Sequence, residues 1–124
     1  VTLAALAAPV LGGCRAAPVQ NLEASPLAIS RPMPLAEVEM AIVRAGAELN
    51  WRIVPQCPGH LRGTLLIRSH RAVVDIVLRG SHYSIRYYDS SELGYDPAQG
   101  TIHENYNAWV EELDRAVQAE LARL

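Results

Sequence analysis

The chain has 124 residues, of which half are hydrophobic and 19% charged, with a formal net charge of −2. That length suits one compact domain and excludes two, and the balance excludes a disordered chain. The slight negative charge gives no bulk field for nucleic acid, so no nucleic-acid partner is expected. All eleven basic residues are Arg, Phe is absent, and four of the five Tyr (Tyr83, Tyr87, Tyr88, Tyr95) lie within one short stretch.

In chain order, Val1 to Leu11 is an uncharged run of apolar and small residues. A bilayer span needs about 20 apolar residues, so this run has the length of a signal-peptide core and not of a span. Leu11-Gly12-Gly13-Cys14 follows and resembles the lipobox of bacterial lipoproteins, an aliphatic residue and two small ones before a lipid-accepting Cys. The resemblance implies a signal peptide over 1–13, truncated at its start because no basic residue precedes the run. It also implies lipid on Cys14 and a membrane partner through that lipid. Arg15, not Asp, comes next; by the enteric sorting pattern this implies the inner leaflet of the outer membrane, with the domain in the periplasm. If Cys14 carries lipid, Cys57 has no partner in the chain.

Residues 14–34 contain Pro18, Pro26, Pro32 and Pro34 without a sustained period. They read as an extended tether, able to hold a domain up to about 60 Å from the lipid. The domain is expected over 35–124. Val38, Ile42, Ala45 and Leu49 form the stripe of a helix over 35–50, with Pro34 at its start and Asn50 in a left-handed cap. Gly46 inside it points to close contact with a neighbouring element.

Strands are expected at 51–54, 61–68, 72–79 and 82–88, joined by turns too short for parallel crossovers. Thr101 and Glu104 have capping-box spacing before an apolar stripe through Tyr106, Trp109, Leu113, Val117 and Leu121, predicting a helix over 102–123. The order is α-β-β-β-β-α. It predicts an α+β two-layer sandwich, a four-stranded (or three-stranded) antiparallel meander with both helices on one face.

Alternation sends Leu65, Val74, Ile76, Tyr83 and Ile85 toward the helices. The other face would carry Arg62, Leu66, Arg68, Val77, Arg79, Arg86 and Tyr88 as the candidate interaction surface, with Thr64, Val73, Asp75, His82 and Ser84 among them. Arg and Tyr among aliphatics is the composition of a binding surface, although β-formers on an ordinary outer face would look similar.

Chemistry-bearing residues are few. Cys57-Pro58-Gly59-His60 puts a thiol near an imidazole, the minimum for a Cys nucleophile and equally a free Cys in a turn. Asp89, Ser90 and His103 bracket the loop before the last helix and could form a hydrolytic set, but caps and turns use the same residue types. His103-Glu104 begins like a zinc-protease helix, yet Asn107 stands where its second His belongs, so no metal or other cofactor is expected. Phosphate-loop and serine-elbow motifs are missing from the sequence. Asn105 and Asn107 are mediocre helix formers at a helix start, placed either to anchor the 90–101 loop or to contact a ligand.

Tyr87-Tyr88-Asp89-Ser90 and Ile102-His103-Glu104-Asn105-Tyr106-Asn107-Ala108-Trp109 resemble segments of a family of small proteobacterial lipoproteins of outer-membrane type. That resemblance implies an envelope lipoprotein with a small α+β domain, and it brings no catalytic residues with it. The sequence therefore leads to a non-enzymatic envelope lipoprotein binding a protein or peptidoglycan partner. A small hydrolase and a passive structural lipoprotein are the alternatives.

Overall fold

The computed structural model describes residues 15–124. The lipobox and Cys14 lie outside the described residues. The fold is α+β, with two helices packed together and an antiparallel meander running between them in the chain.

Helix α1 spans Leu35–Glu48, with Pro34 as its N-cap and Asn50 just beyond its end at φ 68°. Its buried stripe is Val38, Ala41, Ile42, Ala45 and Gly46. Gly46 has the predicted role: a Cβ there would lie 2.3 Å from Ile53 Cδ1 and 3.2 Å from Trp51 Cβ. Only a residue without a side chain lets α1 come this close to the next strand.

Two short strands precede α1: β1 (Ala16–Pro18) and β2 (Leu22–Pro26). The meander follows as β3 (Trp51–Cys57), β4 (His60–Ile67), β5 (His70–Arg79) and β6 (His82–Ser91). A short β7 (Thr101–His103) then leads into α2 (Glu104–Leu121). The main sheet is five-stranded, in the order β2-β6-β5-β4-β3, and β1 pairs with β7 apart from it. No helix is long and apolar enough to cross a membrane among the described residues.

Residues 16–26 therefore depart from the expected free tether. They are extended, but hydrogen-bonded: Ala17 pairs with Ile102, and Leu22 and Ser25 pair with Ile85 and Tyr83. Their prolines sit on edge strands, where a missing N–H costs no ladder bond. The start of α2 also differs. Thr101 is drawn into β7 opposite Pro18, so His103 becomes the N-cap, its Nδ1 accepting the Asn105 N–H at 3.1 Å.

The core lies between the sheet and the helices. Leu61, Leu65, Val74, Ile76, Tyr83 and Ile85 meet Ile42 from α1 and Tyr106, Val110, Leu113, Val117 and Leu121 from α2. Each large side chain buried this fully contributes about 1.5–3 kcal/mol. Polar ties fix the layers in register. Tyr83 donates to Asp114, Gln118 donates to the Pro26 carbonyl at 3.0 Å, and Arg44 bridges to the buried Glu120 at 3.0 Å. Burial, followed by the Asp114 carboxylate, pushes the Tyr83 phenol well above its ordinary value.

Candidate functional site

Both helices cover one face of the sheet, and among the described residues the other is open. Period-two alternation sends His60, Arg62, Thr64 and Leu66 of β4 to that open face, because Leu61, Gly63 and Leu65 are buried in between. In β5 the outward set is Arg71, Val73, Asp75, Val77 and Arg79, paired across the ladder with the outward residues of β4 and β6. Of the seven residues expected on this surface, Arg62, Leu66, Val77, Arg79, Arg86 and Tyr88 lie on it. Arg68 does not. Strand β4 ends at Ile67, and Arg68 occupies the two-residue turn to β5 at φ 57°.

At the centre of the face, Asp75 Oδ1 accepts from His60 Nε2 and from Arg62 Nε, both at 2.9 Å. The Arg62 guanidinium also lies 3.7 Å from the centroid of the Tyr88 ring. Burial acts to raise the Asp75 carboxyl, but the His60 and Arg62 bonds outweigh it and hold the group below its usual range. The hydrogen bond to Asp75 in turn raises the Arg62 guanidinium. Sequence reading placed Arg62, Asp75 and Tyr88 on this face but did not pair them, and it left His60 out. The signal was present: all four are outward positions of three adjacent strands.

Two depressions flank this chain of contacts. One, of about 370 Å³, is lined by Glu23, Arg79, His82, Ser84 and Arg86, with Glu23 and Arg86 bonded to each other. The second, of about 440 Å³, is lined by Arg52, Val54, Arg62, Thr64 and Leu66. Large apolar side chains remain in solvent: Leu66 is 65% exposed, Tyr88 50% and Val54 45%. Val73 is the exception, 4% exposed on this face yet apart from the main core.

The expected loop cluster is dispersed. A register shift between β5 and β6 pairs Val73 with Asp89 and Val74 with Tyr87, leaving Tyr88 as the extra residue of a bulge. Asp89 bonds Arg71 at 2.6 Å, and that bond, ahead of a backbone bond from Ser90, lowers its carboxyl. Ser90 bonds the Tyr87 hydroxyl at 2.8 Å, and His103 caps α2. Asp89, Ser90 and His103 thus each have a side-chain partner outside the set, and the contact within it is the Ser90 backbone N–H on the Asp89 carboxylate. Asn105 is exposed. Asn107 does anchor backbone, though not that of the loop: Oδ1 accepts from Gln20 N and Nδ2 donates to the Pro18 carbonyl.

The loop itself is held by Asp96, whose Oδ1 accepts from the Ala98 and Gln99 N–H groups, and by Tyr95 stacked on Tyr87 with centroids 4.2 Å apart. Cys57 is an exposed free thiol across the β3–β4 turn from His60, whose Nε2 is taken by Asp75. Among the described residues no group of three or more His, Cys, Asp or Glu could hold a metal ion. Comparison with family models, with curated proteins and with solved structures finds no match to this chain.

Proposed function

We propose that this chain is a bacterial cell-envelope lipoprotein that acts by binding. Its domain would engage an envelope protein or peptidoglycan partner through the open face of the sheet. One observation carries the reading: Leu66, Tyr88 and Val54 stand exposed among arginines on a face that neither helix covers. Exposed apolar side chains ringed by Arg and Tyr are the make-up of interface centres, whereas a solvated sheet face normally carries polar side chains. Anchorage is argued from the Leu11-Gly12-Gly13-Cys14 sequence, and placement at the outer membrane from Arg15 after it.

Two experiments test the two halves. Labelled fatty acid should enter the wild-type protein in cells and not the Cys14→Ala variant; equal labelling, or none in either, removes the anchor. A photo-crosslinking residue at Leu66 or Tyr88 should give discrete adducts in intact cells, while one at Glu111 on α2 gives none. Adducts from Glu111 alone, or from no position, overturn the sheet-face reading.

A further inference from the structure

We propose that the occupant of the open face is an acidic polypeptide segment with apolar side chains between its carboxylates, laid across the sheet from Arg52 to Arg79. The proposal rests on the sheet-face reading above and names the chemistry of the partner.

Charge is segregated between the two layers. The strands of the main sheet carry five arginines against Glu23, Asp75 and Asp89, an excess of +2 (5 − 3). The two helices carry eight carboxylates against Arg44 and Arg115, an excess of −6 (2 − 8). A net charge of −2 over the chain conceals this polarity. An acidic partner is steered to the sheet and turned away from the helices.

The arginines of the face are not equivalent. Arg62, Arg71 and Arg86 are each bonded to a carboxylate of the same face. Arg52 and Arg79 are exposed, and no carboxylate among the described residues lies within bridging distance of either. These two cations are the ones open to a partner. Arg52 is level with Thr64 and Val73, and Arg79 lies six residues further along β5 (79 − 73). The separation is about 20 Å along the strands and about 10 Å across them, which an extended segment of about seven residues spans.

The ground between them selects a mixed segment over a uniform polyanion. Val54, Leu66, Val77 and Tyr88 offer apolar contact that phosphates or sugars would leave unused. Glu23, Asp75 and Asp89 would repel a polymer charged at every unit, whereas spaced carboxylates can avoid them. Each depression has its counterpart: Arg79, His82 and nine-tenths-buried Ser84 line space for a carboxylate beside Glu23, whose charge Arg86 already pairs, and Arg52 stands beside Val54 and Leu66. Docking on the face is favoured over strand addition at the β3 edge, where Pro55 removes a backbone donor.

The test uses the full chain and fluorescent heptapeptides read by anisotropy. A Glu/Leu alternating peptide should bind in a salt-dependent manner, and its Lys/Leu counterpart should not. Arg52→Glu and Arg79→Glu should each weaken binding about tenfold, while Arg115→Glu on α2 leaves it unchanged. Circular dichroism of the variants, matching the wild type, confirms that they fold. Polyphosphate or anionic phospholipid vesicles binding as tightly as the Glu/Leu peptide would overturn the proposal, as would indifference to both arginine reversals. Absent peptide binding with Leu66 crosslinks intact would sink this inference alone. Loss of the crosslinks would remove the sheet-face reading beneath it.

Discussion

Asn107 of α2 holds the backbone at Pro18 as another strand would: its Nδ2 donates to the Pro18 carbonyl at 2.9 Å, while its Oδ1 accepts the Gln20 N–H at 3.0 Å. The side chain is buried, and one amide satisfies two backbone groups of a segment 87 residues away in sequence. A poor helix former in the second turn of α2 is thereby explained. Asn107→Ala removes both bonds and strands two part-buried backbone groups, so stability should fall by about 2 kcal/mol. Urea denaturation measures the fall, and amide exchange at Gln20 should accelerate selectively. A loss below about 0.5 kcal/mol would mean that the clamp contributes nothing.

Gly46→Ala sets two effects against each other. Helix propensity favours Ala by about 1 kcal/mol. Against it, the new methyl would lie 2.3 Å from Ile53 Cδ1 and 2.8 Å from Ile53 Cγ1, in a packed layer. Overpacking of this kind costs about 1–3 kcal/mol, so the net change should be destabilising. Ile53→Val removes the nearest atom and should recover part of the loss in the double variant. Additive losses in thermal denaturation would show that α1 shifts instead.

Asp75 makes the open face sensitive to acid. Its folded pKa lies below the ordinary value of 3.8. A depressed carboxyl contributes stability that is complete above the unfolded value and disappears as pH falls from there through the folded one. Wild type should therefore exceed Asp75→Asn by about 1 kcal/mol near neutrality, the worth of a partly buried charge-assisted pair. The gap should close as pH drops below 3.8. A gap that persists in acid, seen by denaturation at a series of pH values, would assign it to packing and not to charge.

How much of this was legible in the sequence depends on how local the signal was. The meander is written in alternation and turn residues: Gly80 at φ 58° sits in the tight turn where Arg79 and His82 pair. Both helices follow from their apolar stripes. Strands β1 and β2 were hidden because nothing within them is periodic; they are strands only through partners far along the chain, as Leu22 is through Ile85 and Ala17 through Ile102. The pairing of β1 with β7 claimed Thr101 and moved the cap of α2 to His103. At the site, alternation placed Arg62, Arg79 and Arg86 outward correctly, failed at Arg68 where β4 ends in a turn, and failed again at the bulge at Tyr88. Beyond it the phase shifts, and Asp89 and Ser90 reach Arg71 and Tyr87 on opposite sides of the strand.

Arg68 carries strain that its chemistry does not require. It is the first residue of the two-residue turn between Ile67 and His70, at φ 57°, a position that favours glycine. Arg68→Gly should raise stability by about 0.5–1 kcal/mol, and because the residue lies off the open face, peptide binding there should be unchanged. Calorimetry and anisotropy on one variant separate the two statements. A weakened peptide would return Arg68 to the binding surface.

The first described residue fixes what an anchor on Cys14 would do. Arg15 offers its carbonyl to the Glu104 N–H at 2.7 Å, and Ala16 is already in register with His103. No slack chain remains between an acylated Cys14 and the N-terminal end of α2, since consecutive Cα atoms are only about 3.8 Å apart. The Pro-rich segment, which could have reached about 60 Å as a free tether, is instead spent inside the fold as β1 and β2. On the lipoprotein reading, the domain then rests against the membrane at its β1–β7 end and does not hang from a leash. A fluorophore on Glu104→Cys, in a Cys57→Ser background, should be quenched by headgroup-labelled lipid in proteoliposomes of the acylated protein. One at Gly80, in a turn of the main sheet, should be quenched less. Asn107→Ala, which loosens the clamp on Pro18 and Gln20, should lower the quenching at 104. Equal, weak quenching at both sites in the wild type would mean that residues 15–26 leave the domain on the membrane, so that the tether expected from their prolines is the state that operates there.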